Sequence, residues 1–284
     1  MGKRRYGNCR EIGKLGALRG GIRSNGQDFH TGKKWIRKST FQRVGSSNDL
    51  RPPPNNAVVF GNIYVNLGGK PVEFRMNQLS LPSEKIACFR TLFRGREDVY
   101  ARRFENQRTG KSGYAPACGN EWVRGICEKP RIKCSDCACQ SWLPVTEGVI
   151  RQHLSGEDER GQLFVMGVYP MLLDETCFFL AVDFDGEGWM EDAAAYLETC
   201  RRMEIPAALE RSRSGQGGHV WLFFKEALSA VLARKLGAFI LTETMESRPG
   251  MGLQSYDRFF PNQDTLPKGG FGNLIALPLQ KRAR

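Results

Sequence analysis

From residue 177 to residue 260 the apolar side chains repeat with periods that spell out one order of elements. CFFLAVD (177–183) is an unbroken apolar run suited to a buried strand. WMEDAAAYLETCRRM (189–203) places Trp189, Ala193, Tyr196, Leu197 and Cys200 on one helical face. A short strand follows Pro206 at 207–211, SGQGG (214–218) is a turn, and HVWLFF (219–224) is a strand. Residues 229–245 are a helix with Ser229 as its N-cap. Further strands are expected near 254–260 and 273–279. This β-α-β-β-α-β order predicts an α+β fold of the split βαβ, RRM-like type. In it the third strand lies between the first two and antiparallel to both, so the end of the first meets the start of the third.

That junction is where the chemistry falls. Asp183 and Asp185 end the first strand at i and i+2 and share a face of the sheet; His219, Trp221 and Phe223 share a face of the third strand. Two carboxylates about 5 Å apart repel by roughly 3 kcal/mol at an effective dielectric of about 20, which a divalent metal relieves. The bland alternative is two surface aspartates at a strand end. Between the strands, Arg211 to His219 reads RSRSGQGGH, with the traits of a phosphate-binding loop. Glycines free backbone amides, and Arg213, Ser214, Gly215, Gln216, Gly217 and His219 offer cationic, hydroxyl and amide donors to a triphosphate.

Nine cysteines with no secretory signal argue for thiols or metal ligands over a disulfide framework. Five of them lie between Cys118 and Cys139. Cys118, Cys127, Cys134 and Cys137 can close a tetrahedral zinc shell, with Cys139 one residue past the C-x2-C knuckle. Redox chemistry is the other reading of a lone CxxC, and the nearby second pair favours structural zinc. Cys88, Cys177 and Cys200 are expected in the core. Arg102, Arg103, Arg108, Lys111, Arg124, Lys129, Arg131 and Lys133 are interleaved with Tyr100, Phe104, Tyr114, Trp122 and Trp142. These form either a single-strand contact surface or a solvated face over an aromatic mini-core. TGKSGY (109–114) ends like a P-loop, but Glu105 stands where the first glycine is needed, so it is a turn.

The charge is divided along the chain. Its 284 residues carry a net +12, yet residues 1–82 hold 15 basic and 4 acidic side chains and residues 152–284 hold 14 and 18. A basic flank beside an acidic part suits a polyanion-binding surface serving a carboxylate metal site. The length predicts about two domains. The divisions are 1–82, basic and irregular or poorly ordered; 83–160, an N-terminal part with the cysteine cluster; and 161–284, the catalytic core. Hydrophobic residues at 40% and charged residues at 25% exclude disordered, collagenous and coiled-coil classes. No apolar run is long enough for a membrane helix, no signal peptide follows MGKRRYGNCR, and Tyr6 stands where a myristoylation signal needs Ser or Thr. A soluble, cytoplasmic protein with no membrane partner is expected.

AVDFD (181–185), SRSGQGGHVWLFF (212–224) and SYDRFFPNQD (255–264), followed by GGFGNLIALPLQ (269–280), resemble the three motifs of the archaeo-eukaryotic primase superfamily. With FRGREDVYARR (93–103) and the upstream cysteines, they are most similar to the primase domain of TOTE conflict systems, over about residues 83–280. The resemblance implies a template-directed nucleotidyltransferase, a DNA primase or primase-polymerase. Its partners would be single-stranded DNA, nucleoside triphosphates and a helicase. It implies that Asp183, Asp185 and Asp257 hold two Mg or Mn ions, with Asp264 as the fallback third acid. Arg213, Ser214, Gly215 and His219 would grip the triphosphate. The sequence stops four residues after Gln280, where the resemblance implies continuation toward a helicase; a truncated or decayed gene product is one reading of that difference. Two rivals stand beside this reading: an inactive, zinc-stapled DNA-binding remnant of a primase-helicase, and a metal-dependent glycosyltransferase using the Asp-x-Asp pair.

Overall fold

The computed structural model describes residues 80–106, 108–248 and 252–281, with the backbone of two strands further upstream. Every described residue lies within Leu50–Arg284, which forms one compact unit. The reading of residues 1–82 as irregular therefore falls mostly outside the described residues. Within it, β1 (Ile63–Asn66) and β2 (Pro71–Phe74) pair antiparallel.

Helix α1 (Pro82–Leu92) starts at Pro82 for a local reason. Pro82 occupies the first turn, where its missing N–H is not needed, and the Glu84 carboxylate accepts from the Leu81 N–H at 2.8 Å. Strands β3 (Ala101–Glu105) and β4 (Ser112–Pro116) form a hairpin over TGKSGY, whose turn is made by Asn106 and by Gly110 at φ +67°. Helix α2 (Glu147–Ser155) is capped by Thr146, which accepts from the Val149 N–H, and ends on left-handed Gly156.

Strand β5 (Met166–Val168) precedes the acid-bearing unit. That unit runs β6 (Thr176–Asp185), α3 (Trp189–Arg202), β7 (Ala208–Arg211), β8 (Gly217–Ser229), α4 (Ala230–Glu246) and β9 (Tyr256–Phe260). Ser229 caps α4 by accepting from the Leu232 N–H. The sheet order is β7-β8-β6-β9 with antiparallel pairs throughout. The last strand, β10 (Ile275–Ala276), belongs to a different sheet, ordered β10-β5-β3-β4. The sequence divides at residue 160, but this second sheet crosses that division, with β3 and β4 on one side of it and β5 and β10 on the other. The fold is α+β.

Strand alternation sorts the core into two. Leu180, Val182 and Phe184 of β6 join Val220, Leu222 and Phe259 against α3 and α4. Gly237 of α4 lets the helix lie close: a Cβ there would stand 2.6 Å from Leu180 and 2.8 Å from Phe259. Phe179 and Ala181 face the other way with Trp221 and Phe260, against α1, α2 and the second sheet. Asp183 and Asp185 continue that second face toward the open end of β6. Cys88, Cys177 and Cys200 are buried free thiols.

Candidate active site

The register of β6 and β8 sets the first contacts. Asp183 lies opposite His219 and Asp185 opposite Gly217, so both acids and the imidazole share a face above Ala181 and Trp221. His219 Nε2 stands 3.5 Å from Asp183 Oδ1. On its other side, His219 Nδ1 meets Glu210 Oε2 at 3.0 Å, and the Trp221 Nε1–H donates to the same oxygen at 2.9 Å. Glu210, on β7 opposite His219 and almost wholly buried, was missed in the sequence. The signal was available: a hairpin closed at 212–217 pairs 210 with 219. Burial raises the Asp183 carboxyl above its ordinary range; His219 opposes this, and the charges of Asp257 and Asp185 add to it. Burial pulls the His219 imidazole down, but the charge and hydrogen bond of Glu210, with Asp183 and Asp185, outweigh it and raise the pKa.

Asp257 reaches this face through a β-bulge. Phe260 pairs with Ala181, Phe259 with Val182 and Arg258 with Asp183, so strict alternation would turn Asp257 toward the helices. Instead Tyr256 pairs with Phe184, and Asp257 and Arg258 together oppose Asp183. Asp257 accepts from Arg258 Nε at 2.7 Å, and both are substantially exposed. Buried Asp192 of α3 anchors the entry to this strand, accepting from Ser255 N at 3.1 Å and Ser255 Oγ at 2.7 Å, while the Ser255 carbonyl accepts from Asp185 N at 2.7 Å. Asp264, the fallback acid, is paired with Arg234 instead.

The glycine hairpin differs from its reading as a loop of freed amides. Gly217 and Gly218 lie inside β8, where close packing demands them. A Cβ at Gly217 would stand 2.6 Å from the Phe184 carbonyl oxygen and 2.8 Å from Asp185 Oδ1, and one at Gly218 would stand 2.5 Å from the Trp189 ring. The Gly215 N–H donates to Ser212 O and the Gln216 N–H to Ser214 Oγ, so those amides are engaged within the turn. Arg211 is bent back on the loop, donating from Nε and Nη2 to Gly215 O at 3.0 and 2.9 Å. Arg213 sits close enough to Tyr114 of β4 for its charge to be felt there.

A family model, the archaeo-eukaryotic primase domain of the TOTE conflict system, matches residues 84–284. The chain belongs to that family. Among curated proteins none matches the chain. Membership brings a nucleotidyltransferase or primase-like function in general terms, and the matched residues hold every acid, the hairpin and the cysteine cluster.

In this primase domain Cys118, Cys127, Cys134 and Cys137 are free thiols that line one cavity with Glu121, Lys129 and Trp142. The Ser141 N–H donates to Cys118 Sγ and the Cys139 N–H to Cys137 Sγ, each at 3.4 Å. Cys139, outside the set of four, is disulfide-bonded, whereas the sequence favoured thiols or metal ligands over a disulfide framework. Among the described residues, no group of three or more His, Cys, Asp and Glu side chains is arranged to hold a metal ion. Both the thiols and the acids are gathered without being closed around one. Of the aromatic residues near the cluster, Phe104 and Trp122 are exposed, whereas Tyr100 is buried and Trp142 packs edge-on to Phe271. Arg102 pairs with Asp158, Arg103 with Glu105 and Lys129 with Glu121. No helix among the described residues is long and apolar enough to cross a membrane.

Proposed function

We propose that this primase domain joins nucleotides on a single-stranded DNA template, as a primase or primase-polymerase, with β6–α3–β7–β8–α4–β9 as its RRM-like catalytic core. The observation that carries the reading is the bulge of β9, which brings Asp257 to the face that already holds Asp183, Asp185 and His219. Three carboxylates are the hard oxygen donors that Mg or Mn prefers; burial first, and then the charges of Asp257 and Asp185, raise the Asp183 pKa, and a cation on this face would oppose both. Two such ions would activate the attacking 3′-hydroxyl and stabilise the departing pyrophosphate.

The chain's own groups do the rest. Asp183 and Asp185 are held by the β6 ladder, Asp257 by the bulge and the Asp192–Ser255 anchor. His219 presents Nε2 to the triphosphate and contacts phosphate rather than removing a proton. Arg213, Ser214, Gly215, Gln216 and Gly217 flank the entry, with Arg213 the principal cationic arm. Cys118, Cys127, Cys134 and Cys137 would hold one structural zinc; four thiols on one cavity, with amide donors to two sulfurs, suit that ion. The basic and aromatic surface near the module, including exposed Trp122, would carry the template, with a helicase as working partner.

The test is incubation of the purified protein with single-stranded DNA, labelled nucleotides and Mg or Mn, with and without a primer. Labelled product that depends on template and metal is the expected result. Template binding with no incorporation under either metal would instead identify a DNA-binding remnant.

A further inference from the structure

We propose that Glu210 is a positioning residue of the nucleotide site: it accepts from the His219 Nδ1–H and so fixes the ring with Nε2 toward the acid cluster, where an Nε2 that also carries a proton donates to phosphate. This rests on the reading of His219 as a phosphate contact. Glu210 lies directly opposite His219 in the β7–β8 ladder and is 3% exposed. Its Oε2 takes both contacts, 2.9 Å from Trp221 Nε1 and 3.0 Å from His219 Nδ1. An indole N–H can only donate, so this oxygen is an acceptor and the proton facing it belongs on Nδ1. Which ring nitrogen carries hydrogen is set by the bond the other makes.

Rigid neighbours fix the arrangement. Trp221 is fully buried, stacked on Phe223 and edge-on to Phe93, so its N–H holds Oε2 in place. Turning the imidazole over would exchange Nδ1 for carbon and strand a buried carboxylate oxygen with one donor fewer. The opposite nitrogen, Nε2, is 3.5 Å from Asp183 Oδ1, beyond a well-formed hydrogen bond, and is left to a ligand. A buried carboxylate is expensive to keep unless its partners need it. Glu210 serves one structural partner, Trp221, and one partner at the site, His219.

His153 provides an internal contrast. There Nε2 donates to Pro278 O at 2.9 Å and Nδ1 accepts from the Met166 N–H at 3.1 Å, the reverse tautomer. The experiment is nitrogen-detected NMR of the full-length protein near pH 9, without added Mg or Mn, where neutral imidazole tautomers are distinguished by their ring-nitrogen shifts. With three histidines in the chain, a His219→Asn variant assigns the His219 signals. We expect a protonated Nδ1 at His219, kept in Glu210→Gln and lost in Glu210→Leu; a bare Nδ1 in the wild-type protein, or one still protonated in Glu210→Leu, overturns the proposal. In incorporation assays Glu210→Leu should raise the KM for nucleotide about ten- to a hundredfold, with unchanged template affinity and no further effect in a His219→Asn background. Glu210→Gln should stay within about threefold, because the amide oxygen still accepts; a tenfold loss there, or full additivity with His219→Asn, overturns the positioning role. A wild-type protein that incorporates nothing would refute the primase reading while the NMR comparison still decides the role of Glu210.

Discussion

The acid face and the cysteine module are built on opposite principles. Asp183 and His219 sit on strands of ten and thirteen residues, over Ala181 and Trp221, which are completely buried. From Cys118 to Val149 no residue is buried; the module is held by turn hydrogen bonds, a three-residue 3-10 turn at Cys134–Asp136 and an isolated bridge between Cys118 and Trp142. In the first region a scaffold forces like charges together and a ligand only relieves them. In the second, apart from the disulfide at Cys139, little besides a ligand could hold the chain in shape. Removing ions should therefore disarm one region and unfold the other.

The largest expected effect tests that contrast in the module. The purified, reduced protein should carry one zinc per chain, worth on the order of 10 kcal/mol to the module. A strong chelator should open residues 118–142 to protease while the β6–β8 sheet keeps its near-ultraviolet dichroism. Protein with no zinc, or a module that resists protease after chelation, would break the comparison from this side.

On the acid face the loss should be one of activity alone. Asp183→Asn should lower nucleotide incorporation on the order of a thousandfold. Its unfolding midpoint in urea should be unchanged or higher, because a buried carboxylate whose pKa is pushed up is itself a source of instability. A variant that keeps its activity would remove Asp183 from the site. One that unfolds would mean that the acids hold up the scaffold, contrary to the comparison.

The smallest effect concerns what holds the second sheet together. His153 ties α2 to Pro278 and to Met166, and burial pushes its imidazole down to about 4. The folded protein thus resists a proton that the unfolded chain accepts near 6.5. This contribution is fully present above about pH 6.5 and is lost as pH falls toward 4, by roughly 3 kcal/mol at the limit. Urea midpoints from pH 7 to 4.5 should fall more steeply for the wild-type protein than for His153→Gln. Parallel curves would mean that His153 is not held neutral.

Much of this was legible because it is local. Alternation alone puts Asp183 and Asp185 together on one face of their strand and His219 and Trp221 together on one face of theirs, and the Ser229 cap and the start of α1 at Pro82 follow from residue types next to the turns they make. Glu210 was within reach as well, since hairpin pairing is arithmetic on the chain, but a lone glutamate in ALER carries no mark of burial. The glycines at 217 and 218 were visible as glycines, and the reason for them was not. Their close neighbours, Phe184 and Asp185 for Gly217 and Trp189 for Gly218, lie far away along the chain and come near only when β6 and α3 pack against β8.

By itself, the sequence determined the order of elements, the pairing of two acids on one strand face, the histidine that follows the glycines of β8 and the spacing of four thiols; each depends on neighbours a few positions apart. Tertiary structure alone decided that Asp257 and Arg258 together oppose Asp183, that β10 pairs with β5 in the second sheet, and that Glu210 meets His219 and Trp221 at once. A bulge exists only where two residues of one strand meet one residue of another, and so the side to which Asp257 turns is a property of the β6–β9 pair, which strand alternation within SYDRFF cannot express.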